Sequence, residues 1–77
     1  MAEIREIEEL LRVALPGSEV SVQDMSGGDH LYAHVRAPQF AGMPLLEQHR
    51  LVNSAVAHLL GPGLPIHALK IKTEVVQ

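Results

Sequence analysis

Apolar residues recur at helical spacing near the start of the chain. Ile4, Ile7, Leu11 and Ala14 form a stripe that Leu10 and Leu15 widen. This predicts a helix over residues 3–15. Glu3 and Glu6 near its start and Arg12 toward its end suit the helix dipole, and Pro16-Gly17 stops it. Residues 19–23 then alternate polar and apolar, as a half-buried strand does. Residues 24–29 (Asp-Met-Ser-Gly-Gly-Asp) have turn chemistry. Alternation resumes over 31–37, with Leu31, Ala33, Val35 and Ala37 on one side and Tyr32, His34 and Arg36 on the other. The two strands make a hairpin whose loop is too long for a two-residue turn. Residues 38–43 read as irregular. Pro44 opens a second helix over 45–60, with Leu45, Val52, Ala55, Val56 and Leu59 along one face. Gly61-Pro62-Gly63 ends it, and a short extra helical turn is expected around 63–66. Residues 66–73 predict a third strand with His67, Leu69 and Ile71 on one face and Ala68, Lys70 and Lys72 on the other. The order α-β-β-α-(α)-β predicts a two-layer α+β domain, with helices on one face of a three-stranded sheet.

Length narrows the function classes. Seventy-seven residues are expected to form one domain over 1–77, too small for a multi-substrate enzyme. With no cysteine, the chain has no disulfide, no thiol catalysis and no metal site built from its own thiolates. The acidic N-terminus resembles no targeting peptide, and no apolar run is long enough for a membrane span, so a cytoplasmic location is expected. The net charge of −3 disfavours non-specific nucleic-acid binding. The charge is uneven, however. Seven acids and two arginines lie in residues 1–29, against two acids and four bases (Arg36, Arg50, Lys70 and Lys72) in residues 30–77.

Five histidines are the unusual polar inventory: His30, His34, His49, His58 and His67. His30 and His34 are about 13 Å apart if both lie in regular strand, too far to share an ion. His49 and His58 fall on opposite sides of one helix. There is no HExxH pair, so zinc hydrolysis is not expected. His30, His49 and His67 remain as candidates to converge at one rim of the sheet, against the alternative that each is an ordinary structural residue. The glutamates of the first helix, Glu8 and Glu9 included, read as a solvated face, and Asp24 and Asp29 as turn formers. Arg36, Arg50, Lys70 and Lys72 are a candidate nucleic-acid surface, with Tyr32 for base stacking, or else scattered solubilising charges. No nucleophile–base pair or phosphate cradle survives these tests, so catalysis is not expected.

Three blocks together resemble the BolA-like family. They are the Gly28-Asp29-His30 loop end; Phe40-Ala41-Gly42 followed by Pro44-Leu45-Leu46-Glu47-Gln48-His49-Arg50-Leu51-Val52-Asn53; and the closing Ile66-His67-Ala68-Leu69-Lys70-Ile71-Lys72-Thr73. The resemblance covers about residues 4–73. It implies a fold related to the KH domain and a partnership with monothiol glutaredoxins carrying a CGFS active site. It further implies a [2Fe–2S] cluster shared with the glutaredoxin cysteine and glutathione, none being held by the isolated chain. By motif, His67 is the first ligand and His30 the second candidate; His49 and Arg50 are candidates for orienting the site or meeting the partner. Such a chain is a non-enzymatic adaptor in iron–sulfur cluster assembly, trafficking or iron sensing, and is also expected to form a homodimer without its partner. The family's link to transcription keeps a KH-like, DNA-binding regulator as the alternative. This chain lacks the loop cysteine of some relatives. Its Gly61-Pro62-Gly63 connection looks slightly extended, which bears on where His67 lies relative to His30.

Overall fold

A computed structural model describes residues 4–27 and 30–76. The first helix, α1, spans Ile4–Ala14 and buries Ile7 and Leu11. Leu15 follows them into the core, while Ala14 and Val13 face outward. The chain then turns at Gly17, whose φ of 82° lies in the left-handed region that glycine adopts at little cost. Strand β1, Glu19–Ser26, runs three residues further than its alternation predicts. It pairs antiparallel with β2, His30–Ala37, and the register shifts between Asp24 and Ser26. That irregularity absorbs part of the expected loop into the strand. The expected turn former Asp29, the Gly28-Asp29 part of the loop motif and Glu3 lie outside the described residues.

Pro38–Phe40 is a 3₁₀ turn rather than irregular chain, and it drives Phe40 into the core at 0% exposure. Helix α2 spans Leu45–Ala55, shorter than the predicted 45–60. The end of the predicted helix is a separate 3₁₀ turn at Ala57–Leu59, and the extra helical turn expected around 63–66 is only a bend closed by the Leu64 N–H donating to the Gly61 carbonyl at 3.1 Å. Val52 and Val56 are buried, whereas Leu45 is 62% exposed. Leu45 precedes Val52 by seven residues, which is almost two whole turns, so its helical phase is correct. Its exposure reflects position along the axis: the first turn overhangs the edge of the core.

Strand β3, Ala68–Val75, begins two residues later than predicted. Ile66 is diverted into an isolated parallel bridge with Leu60. Its N–H donates to the Leu59 carbonyl at 2.8 Å, and its own carbonyl accepts from the Gly61 N–H at 2.9 Å. β3 pairs parallel with β2, giving a mixed sheet in the order β1-β2-β3. Parallel neighbours need a crossover, and α2 is that crossover. Both helices pack on the face carrying Leu31, Ala33, Val35 and Ala37, so the other face is left uncovered. The two-layer α+β arrangement with helices on one face is therefore observed.

Candidate functional site

The parallel register determines what meets at the sheet's rim. His30, the first residue of β2, lies beside Ala68, the first residue of β3. Parallel strands enter the sheet from the same end, so the residues just before β3 are carried to His30. His67 is one of them. Its ring stands edge-on to that of His30, with centroids 6.5 Å apart and planes at 80°. Both side chains belong to exposed residues, and Ile66 beside His67 is fully buried. The buried neighbour anchors the backbone while the imidazole stays accessible.

Strand alternation misplaced His67. Regular alternation puts it with Leu69 and Ile71, which lean toward the core and are half-buried. Because the strand starts at Ala68, His67 occupies a bend outside the alternation and escapes that side.

His49 does not join the pair. Thr73 Oγ1 donates a hydrogen bond to Gln48 Oε1, placing the start of α2 over the C-terminal half of β3. Thr73 lies roughly 17 Å along the strand from Ala68 at about 3.3 Å per residue. Arg50, next to His49 on α2, pairs with Glu47 at 3.5 Å. His58 sits exposed on the second 3₁₀ turn.

The four candidate bases do not form one surface. Arg36, Lys70 and Lys72 lie on the uncovered face of the sheet; Arg50 belongs to the helical layer. Arg36 is already held by Glu19 at 2.9 Å, with Glu74 at 3.8 Å. Next to it, His34 Nε2–H donates to Glu74 Oε1 at 2.6 Å. That bond is the largest cause holding the Glu74 carboxyl below its ordinary value of 4.5. Partial desolvation opposes it, and the charges of His34, Lys72 and Arg36 reinforce it. Glu19, Val20, Ser21, His34 and Arg36 border a shallow hollow of about 160 Å³ there, where acids and bases nearly balance. No local pattern encodes the His34–Glu74 bond, whose partners are 40 residues apart in sequence.

Glu8 is likewise more than a solvated residue. It is half-buried and accepts the Val22 N–H at 3.1 Å, covering part of the exposed edge of β1.

Among the described residues, no group of three or more His, Cys, Asp or Glu side chains is placed to hold a metal ion. Nor is any helix among the described residues long and apolar enough to cross a membrane.

Relatives place the chain in a family. The model of BolA-like proteins matches residues 5–77. The chain is 35% identical over 69 residues to RP812, an uncharacterized protein of Rickettsia prowazekii, covering 88% of this chain and 87% of that one. A bol-like protein from Babesia bovis superposes with a TM-score of 0.81 at 36% identity, over 97% of this chain and 86% of that one. The BolA domain of SufE1 from Arabidopsis thaliana gives a TM-score of 0.80 at 25% identity, over 97% and 93%. With a family match across nearly its whole length and a fold shared with these structures, the chain belongs to the BolA-like family.

Proposed function

We propose that the chain is a non-enzymatic adaptor in iron–sulfur cluster assembly, trafficking or iron sensing. It binds a CGFS monothiol glutaredoxin and lends His67 and His30 to a shared [2Fe–2S] cluster, which is its cargo. The observation that carries this reading is the edge-on His30–His67 pair, with centroids 6.5 Å apart at an accessible rim. Two imidazoles at the shared entry of neighbouring parallel strands can approach one iron together, and histidine pairs ligate one iron in Rieske centres. Without cysteine, the chain needs thiolates from a partner and from glutathione. Bound there, the cluster would meet neutral imidazoles, so its retention weakens as they protonate.

The DNA-binding alternative draws less support. Arg36 is matched by Glu19 and Glu74, Arg50 lies in the other layer, and the net charge is −3.

Anaerobic reconstitution with a CGFS glutaredoxin, glutathione, iron and sulfide tests the proposal. A heterodimer spectrum distinct from that of the glutaredoxin alone, and altered in His67→Ala, is expected. An unchanged glutaredoxin spectrum with no complex would overturn the adaptor reading. If His30→Ala leaves the heterodimer spectrum intact while His67→Ala does not, His30 loses its ligand role.

A further inference from the structure

We infer that the chain pairs with a second copy of itself through the outer edge of β3, the two strands running antiparallel about a two-fold axis at Thr73. Lys72 of each copy then lies opposite Glu74 of the other, and one sheet continues through both copies. The contact requires neither cluster nor glutaredoxin. Family resemblance alone gives a homodimer no surface and no register; the two edges of the sheet give both.

Helix α1 guards only one of those edges. On β1, Glu8 Oε2 accepts the Val22 N–H at 3.1 Å, and Arg12 Nη2 donates to the Val20 carbonyl at 3.5 Å. Glu8 and Arg12 lie 3.8 Å apart, so one ion pair clasps that edge. β3 is the other edge. Its ladder to β2 ends with the Val76 N–H donating to the Ala37 carbonyl at 3.3 Å. Backbone groups alternate sides along a strand, so those of Leu69, Ile71, Thr73 and Val75 point away from β2. Among the described residues, no hydrogen bond outside the ladder reaches these backbone groups. An uncapped row of this kind is a template for another strand.

Charge selects the occupant and the register. Antiparallel pairing of this edge with itself can be centred on Ile71, Lys72, Thr73 or Glu74 with outward groups still meeting outward groups. Centring on Ile71 sets Lys70 opposite Lys72, centring on Lys72 sets that lysine opposite itself, and centring on Glu74 sets two carboxylates face to face. Like charges directly opposite are destabilising, and Thr73 alone avoids them. Centred there, Lys72 meets Glu74 on the open face, and on the other face half-buried Ile71 meets Val75, which is 37% exposed. Glu74 keeps His34 on Oε1, and its Oε2, 3.8 Å from Arg36, has lone pairs left for the lysine. The outward N–H and C=O groups of Ile71, Thr73 and Val75 all find partners, and the isologous contact closes at two chains. Helix α2 adds an independent reason. Gln48 is bonded to Thr73, so the first turn of α2 stands beside the axis, and there Leu45 and Leu46 are each 62% exposed. A second copy gives these leucines apolar cover. The paired segment is short, so the dimer is a transient one. The His30–His67 rim lies at the other end of β3, outside the paired segment.

The test reads the mass of the full chain by light scattering at rising concentration, with EDTA present. Expected is a shift from 8.4 kDa toward twice that mass, reduced in high salt. Amide exchange at Ile71, Thr73 and Val75 should slow as concentration rises, whereas exchange at Val22, held by Glu8, should not change. Lys72→Glu and Glu74→Lys should each weaken association by about tenfold or more, with unchanged circular dichroism. An equimolar mixture of these two variants should dimerise again, because every Lys72 or Glu74 position then faces the opposite charge. Lys70→Glu should associate as the wild type does. A chain still monomeric at millimolar concentration, a dimer that persists in Lys72→Glu, a mixture of the two folded variants that stays monomeric, or exchange protection at another surface would each overturn the inference.

Discussion

Histidines stand at two places along β2, and different neighbours meet them there. At the rim where β2 and β3 begin, imidazole faces imidazole. Farther along the same strands, imidazole faces carboxylate, with Arg36 bridging Glu19 and Glu74 beside it. The carboxylate fixes the orientation of the His34 ring through Nε2. The difference teaches that histidine content says little about what each ring meets, which its tertiary neighbours decide.

The largest way to break the comparison is to remove the packing that holds both places. Ile66 and Phe40 are both fully buried, Ile66 beside the rim and Phe40 just past the far end of β2. Ile66→Ala should cost about 2–5 kcal/mol and Phe40→Ala about 3–5 kcal/mol, measured by urea unfolding. Of the two, Ile66→Ala should also blur the heterodimer cluster spectrum at full folding, since His67 loses its buried anchor. Equal effects of both variants on that spectrum would show that general destabilisation, and not rim geometry, is being read.

Exchanging the histidines sharpens the contrast. His67→Ala removes an exposed side chain and should change stability by no more than about 0.5 kcal/mol. It should nevertheless abolish or alter the cluster spectrum, whereas His34→Ala should leave that spectrum intact.

Acid separates the two places next. Glu74 is held below 4.5 in the folded chain, so its favourable contribution is complete above that pH. The contribution is lost as pH falls below 4.5 through the folded-state value, because the unfolded chain then binds the proton first. Glu74→Gln should therefore flatten this part of the acid limb in urea unfolding curves recorded at successive pH values. An unchanged acid limb would mean the His34–Glu74 bond contributes nothing in solution. The smallest effect belongs to Glu19→Gln, which removes an exposed ion pair worth about 0.2–1 kcal/mol, and the loss should shrink further in high salt.

Much of this molecule is written locally. Ile7 and Leu11 at helical spacing, Leu31 to Ala37 at strand spacing, and the breakers Pro16-Gly17 and Gly61-Pro62-Gly63 state the elements and their order, because helix and strand periodicity are short-range properties. The three motif blocks stated the family. Local pattern alone could not state where β3 begins. Ile66 fits a strand by its neighbours in sequence, yet the bridge to Leu60 takes it, and that moved His67 off the core side. Leu45 has the right helical phase and still lies outside the core, because overhang depends on where the sheet ends.

The sequence by itself determined the two helices, the three strands, their alternating faces and the lack of any thiolate of the chain's own. Only the tertiary structure decided that His30 and His67 meet, that His49 stays with the far half of β3, and that His34 is bound to Glu74. The physical reason is register. Parallel pairing of His30 with Ala68 joins residues 38 positions apart, and no periodicity within either strand encodes which residue of the other will lie beside it.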